Sequence, residues 1–454
     1  MKRATLEATD ENVLKSIKGQ NSTQRNLEIK DFISALDMIE GNMFISLDAR
    51  WGEGKTFYVR QIEKTLEYQT MKKFSTEDTN DELDRMKVHF TGTELEDIDL
   101  ENSYFPIYYN AWLYDNHTDP LMSLLLVISK KSKKYIDTTK TKKLSGRFGE
   151  LLSSFNANAT FSGKANIQGS IDGEKVVNAF KNKDILEETK IAEEIREDVK
   201  QILDEAIVEQ AQKLVIFIDE LDRCKPSYAL EMLERIKHYF DDDRIIFIVS
   251  VNKEQLTHTI SNYYGNGFDS TGYLNKFFDI EAYLPTLSIN NNEINEYRSD
   301  QRWLNRFTNM LNKYYRLTLR DALIYNQRIE SLSSISEIND YSLGSCCLSL
   351  FIPIIIALDM KDARIKTEFL NGNREFFEEI NELDEIRNFY GCFADPNKEK
   401  EERIALGKER IMAVYDYAFK NDTNALNKVS IDIAEVRGFK EKCLKFSGQM
   451  RVDS

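Results

Sequence analysis

Short apolar runs bounded by polar residues alternate with helical periodicity over the first two thirds of the chain. Runs such as LVIFID and RIIFIVSV are rich in β-branched and aromatic residues and are apolar throughout, which indicates strands covered on both faces, as in parallel sheets. The pattern predicts five such strands, at Met43–Leu47, Tyr104–Tyr109, Leu214–Ile218, Ile245–Val251 and Ile280–Leu284. We therefore expect an α/β domain before residue 290.

After residue 290 the apolar positions follow helical spacing to the end, so we predict a domain of residues 1–290 and an all-α region of residues 291–454. Two insertions, at about 74–102 and 120–210, interrupt the α/β part. Acidic, loop-like sequence fills the first of them, at 77–84 and 91–102. The predicted C-terminal helices lie near 291–313, 318–334, 342–359, 363–389, 398–419 and 427–445.

The charge of the chain limits its partners. A formal net charge of −15 makes the surface as a whole repel polyanions, which argues against a protein that coats nucleic acid. One stretch, Lys130–Arg147, is locally basic and has Asp137 as its only acid. Such a run would bind nucleic acid or an anionic membrane surface, or it is a solvated loop with uneven charge.

The cysteines and the apolar runs indicate the compartment. Five cysteines without a CxxC pair argue against a zinc site or a disulfide framework and for a reducing environment. The N-terminal residues show no apolar core of a signal peptide. The most apolar run, Leu348–Leu358, includes Pro353 and falls short of the ~20 residues of a membrane span. We expect a cytoplasmic protein without a transmembrane segment.

A phosphate-binding loop is predicted between the first strand and the helix that follows it. In the segment FISLDARWGEGKTF, Gly52 and Gly54 would allow the backbone to approach phosphate oxygens, Lys55 would bridge the β and γ phosphates, and Thr56 would bind Mg²⁺. Ala49 departs from the GxxxxGK[ST] template, which has glycine there. The predicted nucleotide-binding residues are Arg50, Trp51, Gly52, Glu53, Gly54, Lys55, Thr56 and Phe57.

An acidic pair at the end of the third strand completes the predicted site. Asp219 would hold Mg²⁺ through water, and Glu220 would polarise the attacking water, because phosphoryl transfer depends on positioning and charge compensation. The alternative is a buried strand that simply ends in an acidic turn. The glycine loop upstream favours the catalytic interpretation.

Two further residues keep two interpretations each. Arg223 would neutralise charge on the phosphates, in its own subunit or a neighbour's, or it pairs with Asp222 or Glu220 and holds the turn. Asn252 follows the fourth strand and would touch the γ-phosphate or orient the water, or it caps the next helix.

Four segments together resemble the KAP family of P-loop NTPases. They are FISLDARWGEGKTF, YYNAWLY, VIFIDELDRCKP and GYLNKFFDIEAYLP, in this order, within residues 25–330. The resemblance implies an additional-strand NTPase core related to the AAA and STAND groups, with a mainly parallel five-stranded sheet. It also implies ATP and Mg²⁺ as ligands. The transmembrane helices that many members carry between the two nucleotide motifs are missing from this sequence.

The resemblance also implies roles for two distant basic residues. LTLRDALIYNQR partly matches the arginine-bearing segment of the family's helical lid, so Arg320 would sense the γ-phosphate; alternatively it is a surface arginine that pairs with Asp321 or Glu330. Lys276 lies where related ATPases place a residue that acts on the neighbouring subunit's nucleotide.

These observations lead to a functional hypothesis. ATP with Mg²⁺ would bind between the core and the helical lobe, and hydrolysis would drive a molecular switch or an assembly motor. The resemblance suggests a homo-oligomer or partner effector proteins, and a part in bacterial antiphage defence. The alternatives are a scaffold or sensor with little turnover, and a DNA-remodelling or loading ATPase that uses the basic insertion.

Overall fold

The computed structural model describes residues 7–19, 22–74, 80–116, 119–132, 211–265, 267–284, 300–332 and 335–448, with a few positions between 193 and 204. The described residues fall into two compact units, one within residues 6–287 and the other within residues 288–454. The predicted boundary at residue 290 lies outside the described residues.

A five-stranded parallel sheet forms the centre of the first unit. Its strands are β1 (Met43–Asp48), β2 (Tyr104–Asn110), β3 (Lys213–Asp219), β4 (Ile245–Val251) and β5 (Ile280–Tyr283). The strand order is β2-β3-β4-β1-β5, and every pairing is parallel. The predicted fold class is confirmed. Strand β4 lies between β1 and β3. Because all three strands are parallel, their carboxyl ends lie along one edge of the sheet.

Helices cover both faces of this sheet. Along β3, Leu214, Ile216 and Ile218 pack into one apolar cluster, whereas Val215 and Phe217 pack into the opposite one. Each fully buried side chain of this kind contributes roughly 1.5–3 kcal/mol, which explains why these strands are apolar throughout. The helices are α1 (Asp10–Ile17), α2 (Ser22–Asp37), α3 (Lys55–Phe74), α4 (Asn80–Phe90), α5 (Ala111–Tyr114), α6 (Pro120–Ser132), α7 (Pro226–Tyr239), α8 (Lys253–Tyr264) and α9 (Ser270–Asn275).

Helix α4 corrects the loop predicted for residues 77–84. Within that stretch, the helix already begins at Asn80. Asp81 and Glu82 stand in its first turn, where acidic side chains are favourable. Met86 and Phe90, four residues apart, are buried, and the Phe90 ring stacks on that of Tyr68 in α3. The acidic composition suggested a loop because only a narrow apolar stripe, Met86 and Phe90 with the partly buried Leu83, faces inward.

The second unit is helical throughout its described residues. Its helices are α10 (Arg302–Tyr314), α11 (Leu319–Glu330), α12 (Leu343–Lys361), α13 (Ala363–Leu370), α14 (Glu375–Ile380), α15 (Asp384–Gly391), α16 (Lys400–Phe419), α17 (Ala425–Lys428) and α18 (Phe439–Phe446). The single helix predicted for 363–389 is wrong, because it divides into three; Gly372 adopts a positive φ of 95° in the first break. The helix predicted for 427–445 is interrupted by the turn Ile433–Val436.

Helix α12 forms the core of the second unit. Phe351 lies at its centre, with the rings of Phe377 and Phe439 each 5.5 Å away between centroids. Among the described residues this helix is long and apolar enough, by length and composition, to cross a membrane. However, 83% of its most apolar window is buried inside the protein, as in a core helix, so it is weak evidence for a membrane span.

Candidate nucleotide-binding site

Residues 49–54, here called the phosphate loop, connect β1 to α3 at the carboxyl edge of the sheet. Gly52 and Gly54 adopt φ values of 87° and 89°, a region that side-chain-bearing residues rarely enter. Backbone N–H groups from Gly52 to Thr56, other than that of Glu53, have no acceptor among the described residues. Free N–H groups at the start of a 20-residue helix form a site that suits phosphate.

Lys55 points back into this loop. Its Nζ donates to the carbonyl oxygens of Ala49, at 2.6 Å, and Arg50, at 3.3 Å. Burial lowers the pKa of Lys55 below its ordinary value, although the carboxylates around it act in the opposite direction. Those carboxylates belong to Asp222, Asp219, Glu220 and Asp48. The lysine is therefore held in place by groups that phosphate oxygens would replace.

Ala49 takes the place of the template's first glycine without strain. Its φ is not positive, its N–H donates to the carbonyl of Val251 at 3.2 Å, and its side chain is buried with Leu47 and Val59. A methyl group is therefore accommodated at a position where the template has glycine.

Glu220, one of the acidic pair, contacts the first turn of α3, directly after the phosphate loop. Thr56 Oγ1 donates to Glu220 Oε1 at 3.2 Å, across 164 residues of sequence. Asp219 is only 1% exposed at the end of β3. Glu220 adopts a left-handed conformation with φ 63°, which is costly for a residue with a side chain and is more frequent at functional sites.

The surroundings of Glu220 shift its acidity. Burial, together with the neighbouring charge of Asp219, raises the pKa of Glu220 above its ordinary value. Arg223 Nε is in ion-pair contact with Glu220 Oε2, although the angle lies outside hydrogen-bond geometry. Of the two interpretations of Arg223, this structure contains the pairing with Glu220. The guanidinium also lies 5.6 Å from the ring centroid of Trp112.

Trp51 connects the phosphate loop to the turn after β3. Its indole Nε1 donates to Asp222 Oδ2 at 2.5 Å, and the ring is 47% exposed. The sequence analysis assigned Trp51 to the loop but did not predict this contact. The two residues are 171 positions apart, so no local pattern indicates it.

Tyr108 is a site residue that the sequence analysis missed. Its hydroxyl donates to Asp219 Oδ2 at 3.0 Å. The β2–β3 register places Asn110 beside Asp219, so the segment YYNAWLY reaches the same edge of the sheet. Tyr108 is a partly exposed position in a strand of mostly buried residues, and it is polar. Because this exposure is known only from the structure, the sequence alone offered no signal that identified Tyr108.

Asn252 lies at the same edge and caps α8. Its Oδ1 accepts the N–H of Gln255 at 3.2 Å, and the residue is buried. This is the capping alternative; Asn252 Nδ2 has no acceptor among the described residues. Asp48, at the end of β1, accepts the N–H of Lys253 at 2.8 Å and so joins the two strand ends.

The remaining predicted site residues differ in their surroundings. Glu53 Oε2 accepts the N–H of Arg50 at 3.0 Å and closes the loop on itself, while Phe57 is half-buried in the first turn of α3. Lys276 is exposed at the end of α9. Arg320 is exposed on α11 of the second unit.

Only the start of the basic stretch lies within the described residues. Lys131 is in ion-pair contact with Glu63 at 2.7 Å and with Glu67 at 3.6 Å, so its charge is already matched. Lys130 is exposed. Residues 133–147, with the other six positive charges, lie outside the described part of the chain.

The site offers oxygen ligands of the kind that Mg²⁺ prefers. The Thr56 hydroxyl and the carboxylates of Asp219 and Glu220 are hard donors, and they lie beside the free N–H groups of the loop. Within the described residues, no three His, Cys, Asp or Glu side chains form a metal-binding group by themselves. A Mg²⁺ ion here would therefore share its ligands with phosphate oxygens and water, as Mg²⁺ sites commonly do.

Comparison with known proteins agrees with this geometry. The family model described as the KAP family P-loop domain matches residues 10–338, most of the chain. An uncharacterized protein of Methanocaldococcus jannaschii is 30% identical over 168 residues, which cover 31% of this chain and 86% of that protein. The family suggests nucleotide binding and hydrolysis in general. On the extent of this match, the chain belongs to the KAP family of P-loop NTPases.

Proposed function

We propose that the chain binds ATP with Mg²⁺, hydrolyses it, and uses the cycle as a molecular switch or assembly motor. The observation that carries the proposal is the contact between Thr56 and Glu220. It brings together, at one edge of the sheet, free N–H groups for phosphate and carboxylates for a metal ion and a water molecule. Phosphoryl transfer needs these two sets of groups close to each other.

Each residue contributes a separate task. Lys55 and the loop N–H groups bind the phosphates, and Thr56 with Asp219 holds the metal ion. Glu220 orients and polarises the attacking water, which requires its carboxylate form. Bound Mg²⁺ supplies charge neutralisation at the phosphates. When Arg223 acts on phosphate, its ion-pair contact with Glu220 is broken.

Purified wild type, Lys55→Ala and Glu220→Gln proteins test this proposal. Lys55→Ala is expected to lose nucleotide binding, and Glu220→Gln to bind ATP but to hydrolyse it on the order of 10²–10³-fold more slowly. The controls are Lys72→Ala, on the same helix but paired with Asp97, and Glu231→Gln, a carboxyl outside the site whose pKa burial also raises. Turnover by Glu220→Gln equal to wild type would remove Glu220 from its role.

The proposal extends to assembly. A homo-oligomer would allow Lys276 or Arg223 to act on a neighbouring subunit's nucleotide, while Arg320 would sense the γ-phosphate. Light scattering of Glu220→Gln with and without ATP tests this: a mass increase with ATP that Lys276→Ala abolishes is the expected result. A monomer mass in all samples, with and without ATP, would contradict assembly. The scaffold alternative predicts the same ATP binding but no turnover in wild type.

The biological setting is proposed by analogy with the family. A part in antiphage defence, together with effector proteins, would make protection depend on Lys55 when the chain and its partners are produced in infected cells. Protection by Lys55→Ala equal to wild type would refute a nucleotide-dependent part. A cytoplasmic location belongs to the same proposal, and the five free cysteines, all among the described residues, agree with a reducing compartment.

A further inference from the structure

We propose that Tyr108 is a positioning residue that fixes the carboxylate of Asp219 for the metal ion. This inference rests on the proposed function, because it concerns the same metal site. It goes further by assigning a task to a residue of β2, a strand that bears neither the phosphate loop nor the acidic pair.

The two oxygens of Asp219 are held from two directions. Oδ2 accepts the Tyr108 hydroxyl at 3.0 Å, and Oδ1 accepts the N–H of Glu220 at 3.0 Å. With both oxygens engaged, rotation of the buried carboxylate costs at least one hydrogen bond. A tyrosine hydroxyl is a hydrogen-bond donor at neutral pH, so it can hold this oxygen without any change of protonation.

Tyr108 is in turn held by Arg60. The guanidinium carbon lies 4.5 Å from the centroid of the Tyr108 ring. Arg60 is itself in ion-pair contact with Glu63 and with Asp10 of α1. The ring is therefore packed under a cation that cannot move without breaking two ion pairs.

These ion pairs belong to a larger mixed-charge network. It joins α1, α3 and α6 through three positive and three negative side chains, of which Glu63, Lys64 and Glu67 are buried. The members are Asp10, Arg60, Glu63, Lys64, Glu67 and Lys131. Removing one member of a buried network is strongly unfavourable, because it leaves the opposite charge buried without a partner. In this network the ion pairs hold Arg60 in place over the Tyr108 ring.

Tyr108→Phe tests the inference, because it keeps the ring under Arg60 and removes only the hydroxyl. The Mg²⁺ concentration for half-maximal ATPase activity is expected to rise roughly ten-fold, the equivalent of about 1.4 kcal/mol for one hydrogen bond to a carboxylate. At saturating Mg²⁺, the KM for ATP is expected to stay within about two-fold of wild type. Nucleotide binding in EDTA should be unchanged, since the phosphate loop is intact.

Tyr109→Phe is the matched control. Tyr109 is the next residue of β2, and its hydroxyl contacts Ser123 at 2.7 Å and Tyr228 at 2.5 Å instead of Asp219. The change removes a hydroxyl that is likewise hydrogen-bonded, and Ser123 and Tyr228 remain 3.1 Å apart and able to bond each other. A lower melting temperature with an unchanged Mg²⁺ requirement is expected.

A double variant separates positioning from a general loss of stability. If Tyr108 acts through Asp219, then Tyr108→Phe in an Asp219→Asn background should change the Mg²⁺ requirement no further. If Tyr108→Phe requires the same Mg²⁺ concentration as wild type, the inference is overturned. The proposed function would still stand in that case, provided that the wild-type protein hydrolyses ATP. A wild type that neither binds nor hydrolyses nucleotide would instead refute the proposed function itself.

Discussion

Replacing Trp51 by phenylalanine removes a hydrogen bond that joins the phosphate loop to the turn after β3. The indole Nε1 donates to the carboxylate of Asp222 at 2.5 Å, and Asp222 is only 8% exposed. Phenylalanine keeps an aromatic ring at the position but cannot donate. If the bond holds the loop in the geometry that binds phosphate, then its loss must appear as weaker nucleotide binding.

The size of the effect follows from the exposure of the two partners. A hydrogen bond to a charged group contributes about 1.5–3 kcal/mol. Trp51 is 47% exposed, so water can replace part of the lost bond, and the lower end of that range applies. About 1.4 kcal/mol corresponds to a ten-fold higher Kd for ATP.

Isothermal titration of ATP into wild type, Trp51→Phe and Trp112→Phe measures this difference. Trp112 is a suitable control, because it is 54% exposed and lies beside Arg223, and its indole N–H donates no hydrogen bond within the described residues. Asp222→Ala combined with Trp51→Phe should bind no more weakly than Asp222→Ala alone. A Kd for Trp51→Phe that equals or falls below the wild-type value would show that the bond does not preorganise the loop.

Three further outcomes follow from the structure. Burial and Asp219 raise the pKa of Glu220, and the carboxylate is the active form. As the pH is lowered, kcat should therefore fall at a pH above 4.5, the ordinary pKa of glutamate. The residual kcat of Glu220→Gln should not show this fall. Ala49→Gly should lower the free energy of unfolding by about 1 kcal/mol without tightening ATP binding, because Ala49 is buried and has no positive φ; tighter binding would contradict this. Phe351→Ala should destabilise the second unit by about 3–5 kcal/mol in urea unfolding, whereas Ile365→Ala, at a 41% exposed position, should cost less than 1 kcal/mol.

The parts of the fold that could be predicted are those encoded by neighbouring residues. All seven residues of β4 are buried, and a strand covered on both faces has a continuous apolar run as its signature. The phosphate loop was equally local, because Gly52 and Gly54 stand between an apolar strand and a helix. Helix α4 was missed since its inward face comprises little more than Met86 and Phe90.

The contacts that shape the site could not be predicted, because they depend on strand order and register. Trp51 reaches Asp222 only because β4 alone separates β1 from β3 in the sheet. Tyr108 reaches Asp219 only because β2 pairs with β3 in a register that aligns Asn110 with Asp219. A shift by one residue would turn the Tyr108 side chain to the opposite face of the sheet. No spacing along the chain carries that information.

The balance of charge in the site explains why a metal ion belongs to the proposed ligand. Lys55 stands among four carboxylates, and the contact of Arg223 with Glu220 offsets only one of them. A triphosphate that enters alone would add negative charge to a site that already has an excess of it, in surroundings where burial strengthens repulsion. A divalent cation that enters with the phosphates would reverse the sign of that interaction, because Asp219 would then attract the incoming complex. The nucleotide binding free energy is consequently a difference between two sets of interactions, since Lys55 must exchange the carbonyl oxygen of Ala49 for phosphate oxygens.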